Sequence, residues 1–79
     1  MKVRVKIYGT LRRQFPGYRH SEGLEIDLPE GADARGLLGR LNISESKGAL
    51  LITENRIMKA HEILQDEIQV DILEPSGGG

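Results

Sequence analysis

The residues most open to chemistry stand at the end of the chain. In Glu74-Pro75-Ser76-Gly77-Gly78-Gly79, a proline stop precedes three residues without side chains, which run to a free carboxylate. Ordering a backbone unit costs roughly 1 to 2 kcal/mol and glycine loses the most freedom, so a glycine run makes sense where a partner's channel leaves no room for a Cβ. The pattern predicts a flexible arm, residues 75–79, that delivers a terminal carboxylate into another protein. A carboxylate resists nucleophilic attack because of its resonance and charge, whereas an acyl-adenylate offers a good leaving group. Gly79 would then carry the reacting group, and Gly77 and Gly78 would keep access to it clear. Glycine-rich ends also occur as plain flexible termini, so three glycines alone are a weak motif.

No other set of residues competes. Cysteine is absent, which excludes a disulfide framework, a thiolate metal site and a cysteine nucleophile. His20 and His61 are far apart in sequence and make a poor metal pair, so no metal is expected. Ser21, Ser44, Ser46 and Ser76 fall in predicted loops without a recognisable nucleophile motif. Glu62, Asp66 and Glu67 read as a solvated acidic turn, with His61 as a surface neighbour. There is no GxGxxG or GxxxxGK loop, so the domain itself is expected to bind no cofactor, and any nucleotide must come from elsewhere. A net charge of -1 and a pI near 6.1 disfavour nucleic acid. Tyr8, Phe15 and Tyr18 are too few and too scattered for a base-stacking platform. No apolar run approaches the ~18 to 20 residues that span a bilayer. The N-terminus alternates and lacks a signal-peptide core, so no membrane association is expected, and the cytoplasm is the expected location.

The elements that must hold the arm follow from periodicity. A chain of 79 residues, 38% apolar and 29% charged, is one small globular domain, expected over 1–74 ahead of the 75–79 arm. Val3, Val5 and Ile7 alternate with Lys2, Arg4 and Lys6 as a half-buried strand, and Leu24, Ile26 and Leu28 form a second one after a long polar loop. Asp33 can cap a helix whose apolar positions Ala34, Leu37, Leu38 and Leu41 follow helical spacing. Leu50-Leu51-Ile52 suggests a central strand buried on both faces. A tight turn at Glu54-Asn55-Arg56 leads to a short return strand at Ile57-Met58. An irregular connection from His61 to Asp66 then precedes a last strand marked by Ile68, Val70 and Ile72. The sum is an α+β design in which one helix crosses one mixed sheet. Charges up to Arg19 are basic, while Glu62, Asp66, Glu67, Asp71 and Glu74 are acidic. First and last strands lying side by side would face opposite charges, each pair worth roughly 0.2 to 1 kcal/mol.

Taken together, "VRVKIYGTLRR", "LPEGADARGLLGRL" and "LQDEIQVDILEPSGGG" resemble the MoaD/ThiS family of small sulfur-carrier proteins, in order and over nearly the whole chain. The resemblance implies a ubiquitin-like β-grasp fold of about five strands and one main helix. It also implies that the domain is not itself an enzyme. Gly79 would be adenylated by an ATP-dependent enzyme of the ubiquitin-activating type and converted to a thiocarboxylate by a sulfur donor. The sulfur would then pass to a synthase partner. The Thr-Leu-Arg turn and the long loop before the second strand lean toward the MoaD branch, whose partner is the large subunit of molybdopterin synthase in molybdenum cofactor biosynthesis. The ThiS branch, serving the thiazole of thiamine, and a ubiquitin-like modifier conjugated through the same glycine are the alternatives. The resemblance further assigns Tyr8, Arg12, Ile57 and Leu73 to the partner interface. The chain departs from the family pattern at Arg13, Glu67 and Glu74.

Overall fold

The structure, a computed structural model, describes residues 1–44 and 48–74. Strand β1 (Lys2–Tyr8) follows its alternation: Val3, Val5 and Ile7 are fully buried, and Lys2 and Arg4 are exposed. β2 (Leu24–Asp27) pairs antiparallel with it, and β5 (Gln69–Leu73) pairs parallel with it on the other side. β3 (Leu50–Thr53) runs antiparallel to β5, and β4 (Arg56–Ile57) closes the order β2-β1-β5-β3-β4 among the described residues. One helix, α1 (Ala34–Arg40), lays Ala34, Leu37 and Leu38 into the core shared with Val3, Val5, Ile7, Leu51, Val70 and Ile72. This is the ubiquitin-like β-grasp fold.

A seven-residue helix containing Gly36 and Gly39 has little stability of its own, since each glycine costs up to about 1 kcal/mol against alanine. Its leading amides are therefore held from outside. The Asp33 carboxylate accepts from the Gly36 amide at 2.8 Å, as its capping position predicts. The carbonyls of Glu62 and Ala60 accept from the Ala34 and Arg35 amides at 3.0 and 2.9 Å. The irregular stretch before β5 thus serves as the seat of the helix N-terminus.

Two expectations change, and a third holds in register but not in ion pairing. Leu50-Leu51-Ile52 does not form a central strand buried on both faces: β3 is next to the edge, only Leu51 and Thr53 are buried, and Leu50 is 37% exposed. The loop after β1 is not featureless, because Gly9–Gln14 forms a 3-10 helix that plugs Leu11 into the core. β1 and β5 are neighbours and Lys6 lies opposite Asp71, yet the ion pairs of β1 run to β2, from Lys2 and Arg4 to Glu25 at 3.4 and 3.6 Å. The tight turn is a two-residue one in which both Glu54 and Asn55 adopt positive φ, 51° and 64°. That is the primed geometry which matches strand twist.

Candidate functional site

Gly77, Gly78 and Gly79 lie outside the described residues, the last of which before them, Glu74, follows β5. Residues in register share a face, and the face opposite α1 collects the apolar side chains that the core does not take. Tyr8 lies beside Leu73, and Leu73 beside Leu50, in one row across β1, β5 and β3. The next row on that face runs Lys6, Asp71, Ile52, Ile57. Ile57 is 60% exposed, and Tyr8, Ile52 and Leu73 are half-buried. Tyr8, Ile57 and Leu73 therefore do come together on one face. Leu50 and Ile52 complete the surface and were missed because three apolar residues in a run read as core. Leu50 and Ile57 also line a hollow of about 200 Å³ between α1 and the β3–β4 hairpin, together with Leu38 and Met58.

β5 meets this surface where β1 leaves the sheet. Gly9, at φ 69°, turns the chain into the 3-10 helix, and the Thr10 hydroxyl donates to the Glu74 carboxylate at 3.2 Å. Glu74, one of the departures from the family pattern, is thus held at the base of the arm.

Arg12 stands apart from the apolar rows. Its guanidinium lies over the Tyr18 ring, 5.5 Å from the centroid, in a cation–π contact. The Tyr18 hydroxyl in turn accepts from the Ile7 amide at 2.8 Å and meets Nδ1 of His20 at 3.0 Å. His20 packs edge-to-face on Tyr8, with centroids 4.7 Å apart. Tyr18 and His20 thus link the two interface candidates Arg12 and Tyr8, a role the sequence does not reveal because the contacts join a loop to the open edge of β1.

The acidic cluster is structural rather than merely solvated. Glu62 accepts both guanidinium nitrogens of Arg56, and this bond holds the Glu62 carboxyl below its ordinary range and the Arg56 guanidinium above its own. Asp66 accepts from the Lys2 amide at 2.8 Å, which ties the turn to the start of β1. His61 is a surface residue, its Nδ1 3.8 Å from Asp33. Among the described residues, no group of three or more His, Asp or Glu side chains could hold a metal. Among them too, no helix is long and apolar enough to cross a membrane.

The outer face of the β-grasp sheet thus carries a row of apolar side chains, Tyr8, Leu73 and Leu50, next to a second row in which Lys6 and Asp71 stand beside Ile52 and Ile57. No family model matches the chain, and no curated protein does. Among solved structures it is similar to a candidate molybdopterin converting factor, subunit 1, from Pyrococcus furiosus. The identity there is 24%, with a TM-score of 0.75, over 95% of this chain and 98% of that one. It is also similar to SAMP1 from Haloferax volcanii, at 11% identity and a TM-score of 0.73, over 100% of both chains. At these identities the likeness is one of fold.

Proposed function

We propose that the protein is a sulfur carrier of the MoaD/ThiS family, serving as the small subunit of a molybdopterin synthase and working in the cytoplasm. One observation carries this reading. The row Tyr8–Leu73–Leu50 has at its centre Leu73, only two residues before Pro75 in sequence, so in this reading a partner that covers the row is in reach of the glycine end. In this reading the Gly79 carboxylate attacks the α-phosphorus of ATP on an activating enzyme, and pyrophosphate leaves. A sulfide-equivalent donor then attacks the acyl carbon, and AMP departs with the former carboxylate oxygen, leaving a thiocarboxylate. A synthase large subunit supplies the catalysis and takes the sulfur. Apolar burial at ~25 cal/mol per Å² over the outer face opposes the entropy lost by ordering the arm. The domain contributes position, while ATP belongs to the activating partner.

The test is an intact-mass measurement after incubation with an activating enzyme, ATP and a sulfur source. A carrier exchanges one oxygen for sulfur, and deletion of Gly79 abolishes the exchange. High-mass conjugates without that exchange would instead make the protein a modifier, with the adenylate captured by a lysine as an isopeptide. Delivery of sulfur to a thiazole synthase but not to a molybdopterin precursor would move it to the ThiS branch.

A further inference from the structure

We infer, building on the docking reading above, that His20 is a positioning residue for Tyr8 and makes the docking face responsive to protons. β2 ends at Leu24, opposite Val5, so the Ile7 amide on that edge has no strand partner and donates to the Tyr18 hydroxyl at 2.8 Å. In the arrangement we infer, the hydroxyl sends its own proton to Nδ1 of His20, 3.0 Å away, which requires a neutral imidazole with its proton on Nε2. One hydrogen bond thereby sets the plane of the ring that stands against Tyr8 at an interplanar angle of 80°. Tyr8 is thus flanked by Leu73 on the β5 side and by His20 on the other.

Protonation reverses the bond. Nδ1 becomes a donor, the Tyr18 oxygen must accept twice, and its own proton loses its partner. The Arg12 guanidinium lies over the face of the same Tyr18 ring. The charged groups on the neighbouring elements are Lys6 on β1, Arg12 and Arg13 on the 3-10 helix, and Arg19 and Glu22 on the loop itself. Basic groups dominate, and among the described residues no carboxylate bonds to His20. Protonation of His20 thus undoes the bond that sets the ring plane, and with it the support of Tyr8.

The chain supplies its own probe. It has no tryptophan and two tyrosines, and both tyrosine rings contact His20. Tyrosine emission of the full chain is followed from pH 5 to 8, the interval in which histidine changes charge. The expected result is a single transition with lower emission on the acid side, lost in His20→Gln and kept in His61→Gln. A flat wild-type profile, or a transition that survives His20→Gln, overturns the inference. So does long-range proton–nitrogen NMR that finds the neutral His20 protonated on Nδ1. With a synthase large subunit as the probe, docking weakens several-fold across the same interval in wild type and stays level in His20→Gln. A level wild-type affinity overturns the coupling to Tyr8. Absence of docking at every pH sinks the docking reading alone, while the emission result still decides the role of His20.

Discussion

Tyr18→Phe deletes one oxygen and leaves the ring in place under Arg12. That oxygen is the acceptor for the amide of Ile7, a residue with 0% exposure at the point where β2 no longer covers β1. Leaving a buried donor unmet costs about 1 to 3 kcal/mol, the penalty of desolvating it without return. A domain of this size loses about 4 to 8 °C in Tm per kcal/mol, so a cost near 2 kcal/mol lowers Tm by about 8 to 16 °C. Thermal and urea melts followed by far-UV circular dichroism measure this directly, and the urea midpoint should fall with an unchanged slope. Hydrogen exchange at the Ile7 amide should quicken more than at Val5, which β2 still pairs. A Tm within ~2 °C of wild type would refute the reasoning, since it would mean that water or a moved side chain satisfies the amide at almost no cost.

Other perturbations separate docking from folding. Ile57→Ala removes a side chain that is 60% exposed. It should leave stability within about 0.5 kcal/mol of wild type and weaken partner binding by about 1 to 2 kcal/mol, roughly 5- to 25-fold, by calorimetric titration. Equal binding would remove Ile57 from the interface. Gly23 and Gly31 both have positive φ, 69° and 86°, but a Cβ at Gly23 would stand 2.7 Å from the Val5 carbonyl oxygen, while at Gly31 the space is open. Gly31→Ala should cost about 1 to 2 kcal/mol from backbone strain alone, and Gly23→Ala distinctly more. Equal melts for the two variants would contradict the crowding. The Arg56 bond lowers the folded carboxyl of Glu62. Its stabilisation is therefore complete above the ordinary glutamate range and is lost as pH falls through the lowered value. Arg56→Gln should flatten the acid limb of a stability–pH curve, and an unchanged limb would exclude the pair as its source.

Much of the fold is legible in the sequence because the signals are local. The Val3, Val5, Ile7 alternation and the Asp33 cap each specify their element without reference to distant residues, and the structure keeps both. The 3-10 helix at Gly9–Gln14 carries no such signal. A single buried residue, Leu11, fixes it, and the need for that plug exists only once the sheet is formed. Leu50 and Ile52 show the limit of hydrophobicity as a guide to burial, since an apolar outer face reads like a core strand. Tyr18 was beyond reach for a topological reason. Its role depends on where β2 stops, and strand ends are set by pairing partners far away in sequence. Tyr8, Ile57 and Leu73 were placed through the family resemblance, and their shared face follows from the pairing registers.

The parallel pairing of β1 with β5 fills the middle of the sheet with the first and last strands in chain order. β1 must wait, with one flank unpaired, until β5 has been made, and closing so long a loop slows folding. Maturation is therefore a checkpoint. A nascent or truncated chain that lacks β5 has neither a finished core nor the row on which Tyr8, Leu73 and Leu50 meet. The row on the outer face therefore exists only in molecules in which the strands at the two ends of the described chain have paired.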